Sequence, residues 1–247
     1  MPIQIGHVEA VFRYPVKSMA GERLDSAEMG WHGLAGDRRL AFRRVENRGG
    51  MPWLTAGKLP ELLLYAPCRR EGSDEGGLPT HVRTPGGQEM PVFGQELAAE
   101  VGRRYGSPVE MMHLRNGIFD DASISVITLG TTEEIGRLAG VGPDVRRFRP
   151  NVVVRSLRPV PFEEDEWLGG VLSFGDADDG PAITVTLRDE RCAMINFDPD
   201  SAKSAPEMLK AVVRANQNNA GIYATVTRIG RLTVGQRVVL HPAPRTI

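Results

Sequence analysis

Alternating apolar and polar positions, interrupted by glycine and proline, run through most of the chain. Alternation over four to eight residues predicts a strand with one buried face, and β-branched residues strengthen that prediction. A turn is expected at residues 83–88, between two further candidate strands. The strands predicted by this pattern cover residues 7–14, 39–45, 109–114, 152–155, 183–187 and 222–229.

Helical periodicity is confined to three segments. Residues 95–105 are expected to form a helix that Gly106 ends, and a second helix is capped by Thr131 or Thr132 and runs to about Leu138. A third begins near Ser204, with an apolar stripe further along. We therefore predict a mainly β fold of mixed β/α character, a barrel with a few peripheral helices. A boundary near Gly106 divides it into domains at residues 1–106 and 107–247.

Composition narrows the classes of function. The chain has 247 residues and a formal net charge of −1, so no overall field favours nucleic acid or an anionic membrane. No signal-type apolar segment opens the sequence and no run of eighteen apolar residues occurs. Two cysteines, Cys68 and Cys192, can form one disulfide at most and are too few for an iron–sulfur cluster or a structural zinc site. We expect a cytoplasmic protein.

Two short clusters offer groups that can bind an anion. In the first, Pro15 weakens strand pairing after the opening strand, which leaves Lys17 and Ser18 at a strand exit where they can meet a phosphate. The alternative is a solvated lysine on a loop. In the second, glycines at 33 and 36 permit a tight turn ahead of Arg38, whose planar guanidinium suits bidentate contact. The alternative there is a hairpin with a surface pair of Asp37 and Arg38.

A third cluster, residues 146–151, has three arginines in four positions. If this segment is extended, Arg147, Arg149 and Asn151 share one face and Phe148 points the other way. Pro150 favours an extended Arg149, which supports that geometry. Such a face can receive a dianionic group, whereas the alternative is a solvated basic loop.

Cys192 follows a predicted strand and is a candidate ligand for a metal. A lone cysteine is more often a small buried apolar residue. In an extended chain Glu190 shares the face of Cys192, and its charge opposes ionisation of a bare thiol. A metal-bound thiolate is easier to support, because the charge of the metal dominates its surroundings. Cys68 is interpreted as structural.

These clusters, in this order, resemble the MOSC family over almost the whole chain. The closest likeness is to the subgroup with an N-terminal β-barrel segment, which includes the mitochondrial amidoxime-reducing component and bacterial reductases of N-hydroxylated bases. The segments that carry the resemblance are Tyr14-Pro15-Val16-Lys17-Ser18, Gly33-Leu34 through Asp37-Arg38, Asp121-Ala122-Ser123, Phe148-Arg149-Pro150-Asn151, Arg191-Cys192 with Asp198-Pro199-Asp200, and Val234-Gly235.

The resemblance implies a molybdenum centre on a molybdopterin, with Cys192 as the protein ligand of the metal and the catalytic residue. It implies that the pterin and its phosphate are held by basic and polar side chains from distant segments. Soft thiolate ligation suits such a metal. The cofactor residues that we carry over are Lys17, Ser18, Arg38, Asp121, Ser123, Arg147, Arg149 and Asn151.

The implied reaction is the reduction of hydroxylamines, N-hydroxylated bases or amidoximes, a detoxification. Electrons would come from an external ferredoxin, flavodoxin or flavin reductase, and purified protein could lack the cofactor. Two alternatives stay open: a non-catalytic carrier of the cofactor or its sulfur, and a ligand-binding barrel without cofactor. The chain departs from the family in having Glu190 where relatives place a small hydroxyl residue, Ile124 after Ser123, and Gln236 after Gly235.

Overall fold

The structure is a computed structural model that describes residues 1–47, 49–70, 77–117, 120–175 and 179–244. Its three helices in these ranges are α1 (Gln95–Tyr105), α2 (Leu129–Ala139) and α3 (Glu207–Asn216). Its strands are β1 (Ile3–Arg13), β2 (Glu22–Leu24), β3 (Ser26–Gly30), β4 (Gly33–Leu34), β5 (Leu40–Arg44), β6 (Ala66–Cys68), β7 (His81–Arg83), β8 (Glu89–Pro91), β9 (Val109–His113), β10 (Ile124–Thr128), β11 (Val152–Ser156), β12 (Val171–Phe174), β13 (Ala182–Glu190), β14 (Asn219–Arg228), β15 (Gly230–Thr233) and β16 (Arg237–His241).

Seven strands close into a barrel, which confirms the predicted fold class. Their order is β11-β10-β14-β13-β12-β16-β1, and antiparallel pairing of β1 with β11 completes the circle. Only β10 and β11 run parallel within it. Strand β2 pairs with β1 outside the ring. Closure leaves the barrel without exposed edges, which an open sheet would have to protect.

Branched apolar side chains fill the barrel. Val8, Val126, Val154, Ile183 and Ile222 are fully buried in one cluster contributed by strands from both ends of the chain. A second layer packs α2 and α3 against the outside of the barrel. Helix α2 begins where the Thr128 side chain accepts a hydrogen bond from the Thr131 amide, and it ends at Gly140 in the left-handed conformation.

The first half of the chain builds a smaller core of its own. Helix α1, the β5–β9 ladder and the β6–β8 sheet surround buried residues that include Phe42, Leu62 and Leu97. Strand β1, however, belongs to the barrel of the second half, because it pairs with β11 and β16. The division into two domains at residue 106 stays a prediction.

Within the described ranges, no helix is both long and apolar enough to cross a membrane.

All six strands and three helices that the sequence pattern predicts are present, with ends shifted by a few residues. Strand β10 was not predicted because all five of its residues are buried, so it shows no alternation. The predicted cap of α2 was wrong, because Thr128, and not Thr131 or Thr132, accepts the capping hydrogen bond. A second local prediction was also wrong. Residues Val145–Phe148 form a 3₁₀ turn and Arg149 is left-handed, with φ 51°, so Arg147, Arg149 and Asn151 do not lie along one extended face.

Candidate functional site

A cavity of about 480 Å³ brings together most of the residues that the sequence singled out. Its wall is built from the chain that follows β1, residues 51–57, residues 120–121, the 3₁₀ turn before β11 and the end of β13, with one residue each from β10 and β14. The predicted residues that line it are Lys17, Ser18, Arg38, Asp121, Arg147, Arg149 and Cys192. The other lining residues are Met51, Thr55, Gly57, Asp120, Ser125, Phe148, Asp189, Glu190, Arg191, Ala193, Met194, Ile195 and Tyr223.

Two arginines of the cavity wall are stacked on one aromatic ring. The guanidinium carbon of Arg149 lies 4.1 Å from the centre of the Tyr14 ring, and that of Arg38 lies 5.2 Å from it. Tyr14 is 1% exposed, so both cation–π contacts are shielded from water. One ring therefore contacts both guanidiniums, and both arginines line the cavity.

Hydrogen bonds fix the orientation of both arginines. Arg149 Nη1 donates to the Met19 carbonyl oxygen at 2.6 Å, and Arg38 Nη2 donates to the Arg149 carbonyl oxygen at 2.9 Å. Arg38 also pairs with Asp37, a fully buried carboxylate, so this is not the surface pair considered from the sequence. Burial, with a further contribution from Arg38, lowers the pKa of Arg149 to about 10, so the guanidinium stays charged at neutral pH.

Three residues of the cavity wall hold a backbone conformation that side chains rarely adopt. Ser18, Arg38 and Arg149 have φ values of 67°, 48° and 51°. A non-glycine residue in this region is strained and persists only where its surroundings impose it. Strain of this kind is concentrated at functional sites, which supports a ligand-binding role for these three residues.

Lys17 is 8% exposed, and its ammonium reaches a carboxylate at the cavity. Its Nζ lies 2.6 Å from Asp120 Oδ1. Partial burial opposes ionisation of Asp120, but the Lys17 ammonium, with help from Arg38 and Arg149, holds the pKa of that carboxyl below its usual range. The Asp120 carboxyl is therefore ionised at neutral pH, and the Lys17 side chain lines the cavity beside it.

Arg147 orients the segment that carries Cys192. Its Nη1 donates to the Asn196 carbonyl oxygen at 3.1 Å, and its Nη2 lies 2.9 Å from Asp198 Oδ2. These contacts tie the 3₁₀ turn Ala193–Asn196, directly after Cys192, to the base of β11. The Cys192 thiol is free and exposed, in the wall of the same cavity.

A buried ion pair lines the cavity together with the cysteine. Asp189 is 1% exposed, and its Oδ2 lies 2.7 Å from Arg191 Nη2. The same oxygen accepts a hydrogen bond from Ser125 Oγ at 3.0 Å. Arg191 Nη1 donates to the Phe148 carbonyl oxygen at 2.8 Å. A side chain at Gly221 would come 2.7 Å from the Val126 carbonyl oxygen and 3.1 Å from Arg191, so this position needs glycine. Burial raises the pKa of Asp189 to about 6, although Arg191 opposes this shift.

Two predicted cofactor residues do not reach the cavity. Asn151 is fully buried, and its amide accepts from the Ser125 amide and Arg38 and donates to the Phe12 carbonyl and Asp37. It therefore positions Arg38. Ser123 lies against the β3–β4 turn, where a side chain at Gly33 would meet its carbonyl oxygen at 2.7 Å. Both can support a bound group only through their neighbours.

Four functional candidates were not among the site residues predicted from the sequence. Asp120 and Tyr223 line the cavity, and burial raises the pKa of Tyr223. Asp189 and Arg191 had a detectable signal, since opposite charges two residues apart in a strand share one face. Tyr223 had none, because a tyrosine in an apolar strand is typical of any sheet.

Two family models match the chain. The MOSC domain matches residues 106–239, more than half of the chain, and the MOSC N-terminal beta barrel domain matches residues 5–112. This chain belongs to the MOSC family. Mitochondrial amidoxime reducing component 2 from Bos taurus is 25% identical over 95% of this chain and 83% of its own length. The YuaD protein from Bacillus subtilis shares the fold, with a TM-score of 0.54 at 17% identity and 99% coverage of both chains.

The MOSC domain is associated with molybdenum cofactor binding, and the residues of this cavity fit such a group. Arg147 Nε is buried in the wall and has no hydrogen-bond partner among the described residues. Among the residues that the structure describes, no carboxylate forms an ion pair with Arg149. Its charge is therefore available to an anion. Lys17 and Arg38 add further positive charge, and Cys192 adds one free sulfur.

Proposed function

We propose that this protein is a cytoplasmic reductase of N-hydroxylated compounds that works with a molybdenum cofactor bound in the cavity. Its substrates would be hydroxylamines, N-hydroxylated bases or amidoximes, and its electrons would come from a ferredoxin, a flavodoxin or a flavin reductase. One observation carries the proposal: an exposed free thiol, Cys192, shares a cavity with Lys17, Arg38 and Arg149, which lie far from it in sequence.

Each part of the cavity would have its own task. Lys17, Ser18, Arg38 and Arg149 would hold the pterin and its phosphate, because charge-assisted hydrogen bonds to phosphate are strong and directional. Cys192 would supply the protein's sulfur to the metal. The cofactor, when bound, supplies the two-electron chemistry that breaks an N–O bond and releases the oxygen as water.

Arg147 would keep the cysteine in place during turnover. Its contacts with Asn196 and Asp198 hold the far end of the segment that follows Cys192. Asp189 lies in the same wall, and its raised pKa makes it a carboxyl that can hold a proton close to neutral pH. Reduction of an N–O bond consumes protons, so a group of this kind is useful beside the substrate.

The apolar part of the cavity favours an enzyme over a carrier. Met51, Phe148 and Met194 line it together with the polar groups, and an organic substrate can bury its body against them. A carrier needs the residues that hold the anion but no such surface. A sulfur-transfer role is also disfavoured, because the Glu190 carboxylate lines the wall on the same side as Cys192 and opposes a second negative charge there. The similarity to an amidoxime reducing component of Bos taurus supports amidoxime reduction.

The test is a reductase assay on protein from a host that makes the cofactor. Benzamidoxime and hydroxylamine are offered with a chemically reduced viologen as electron donor. We expect the wild type to reduce both, Cys192→Ala to lose the activity, and Cys68→Ala to retain it. Cofactor-loaded wild type that reduces neither compound would disprove the enzyme and leave the carrier.

A further inference from the structure

Glu190 projects a carboxylate into the cavity next to Cys192. It is the last residue of β13, and it is exposed, as Cys192 is, whereas Arg191 between them is buried. Asn218 Nδ2 donates to Glu190 Oε1 at 3.2 Å, and the Asn218 carbonyl oxygen accepts from the Arg191 amide at 2.8 Å. The turn that precedes β14 thus fixes the carboxylate beside the thiol.

The charges of the cavity wall are unevenly paired. Five basic and four acidic side chains line it. Every basic residue of the wall except Arg149 lies within 4.0 Å of a carboxylate, in the pairs Lys17–Asp120, Arg38–Asp37, Arg147–Asp198 and Arg191–Asp189. Within the described ranges, Glu190 and Asp121 are the lining carboxylates that have no basic partner.

A bound dianion would make the cavity strongly negative. The carboxylates Asp37 and Asp198, which pair with Arg38 and Arg147 from outside the lining, bring the acidic groups to six against five basic ones. A phosphate held by Lys17, Arg38 and Arg149 adds to this negative excess, and Glu190 contributes the unpaired charge closest to Cys192 in sequence. Electrostatic complementarity in a partly enclosed site favours ligands of the opposite sign.

We propose that Glu190 makes this cavity select N-hydroxylated compounds that carry a positive charge, with protonated N-hydroxyguanidines as the model class. The substrate class rests on the proposed function. In the reaction, the N–O bond of the hydroxyguanidinium breaks. The external carrier supplies two electrons, one proton joins the nitrogen, and a second joins the leaving hydroxyl to give water. The product is a guanidinium ion, so the same carboxylate contacts a cation before and after the reaction.

Ligand binding tests this selectivity without relying on turnover. Benzamidine is a planar cation, and benzamide is a neutral molecule of nearly the same shape. We titrate the purified protein with each compound by isothermal calorimetry. An exposed charge-assisted contact predicts that benzamidine binds roughly five- to tenfold more tightly than benzamide.

Three variants identify the responsible carboxylate. Glu190→Gln keeps the shape of the side chain and an oxygen that can accept from Asn218, so the fold is retained while the charge is lost. We expect it to abolish the preference for benzamidine. Glu96→Gln, which removes an exposed carboxylate of α1 away from the cavity, should leave the preference intact. Asp121→Asn should reduce it only slightly.

Several results would overturn the inference. These are equal affinities for the two compounds in the wild type, no measurable binding of benzamidine, an undiminished preference in Glu190→Gln, or a preference that disappears in Asp121→Asn instead. The proposed function fails separately. A protein without molybdenum or reductase activity whose benzamidine preference depends on Glu190 would refute the enzyme and keep the cation site. A protein that reduces N-hydroxylated compounds but binds benzamidine and benzamide equally would keep the proposed enzyme and refute the cation site.

Discussion

Replacement of Tyr14 tests whether its ring organises the two arginines of the cavity. The ring lies 4.1 Å and 5.2 Å from the guanidinium carbons of Arg149 and Arg38, and its hydroxyl has no hydrogen-bond partner among the described residues. The ring, not the hydroxyl, should therefore carry the contribution of this residue. Tyr14→Phe keeps the ring, and Tyr14→Leu removes it.

The structure sets the size of the expected effects. Each desolvated cation–π contact contributes about 1–2 kcal/mol, and loss of a buried ring adds a packing cost of similar size. The ring is tightly packed, since a side chain at Gly21 would come 2.3 Å from it. We expect Tyr14→Leu to lower the free energy of unfolding by about 3–6 kcal/mol. Tyr14→Phe should change it by less than about 1 kcal/mol, because no hydrogen bond is lost.

Urea unfolding at neutral pH measures the stability, and the pterin and phosphate retained after dialysis measure the anion site. Tyr14→Leu should lose retained cofactor because Arg149 and Arg38 are no longer held together, whereas Tyr14→Phe should match the wild type on both measures. Equal losses in the two variants would show that the hydroxyl matters. Full stability and retention in Tyr14→Leu would refute the reasoning altogether.

Two further predictions concern the surroundings of Cys192. Burial raises the pKa of Asp189 from 3.8 to about 6, so the folded state binds this proton more tightly than the unfolded state does. The contribution of Asp189 to the free energy of unfolding is therefore greatest below about pH 4. It falls by up to about 3 kcal/mol as the pH rises through 6. Asp189→Asn should flatten that part of the pH–stability curve, and an unchanged slope would contradict the assignment. Arg147→Met should loosen the segment after Cys192, so a disulfide reagent should label that thiol faster while labelling of Cys68 stays the same. Equal labelling rates of Cys192 in the variant and the wild type would refute a positioning role for Arg147.

Much of the fold could be predicted from the sequence because its strands have one buried face. The alternation in β1 and β14 reflects a barrel that packs one side of each strand inward. Strand β10 could not be predicted in this way, because all five of its residues are buried. They are apolar or carry a hydroxyl, so the strand shows no alternation. The closure of β1 on β11 joins residues about 145 positions apart, a pairing that no local pattern contains.

The candidate site was predictable in its residue types but not in its geometry. The arginine cluster suggested an extended anion-binding face, and the proline at 150 supported that interpretation. Tertiary contacts override this preference: Arg38 bonds to the Arg149 carbonyl oxygen, and the Tyr14 ring draws the guanidinium of Arg149 to the cavity. The same contacts convert Asn151 from an expected ligand residue into a buried support for Arg38.

Molybdenum analysis of cysteine variants tests the central claim most directly. Wild type, Cys192→Ser and Cys68→Ser are purified in parallel from one cofactor-producing host, and metal and pterin are quantified per protein chain. We predict near-stoichiometric molybdenum in wild type and in Cys68→Ser, with molybdenum largely lost from Cys192→Ser. Molybdenum retained in full by Cys192→Ser, or absent from a wild type that is fully folded, would contradict the account.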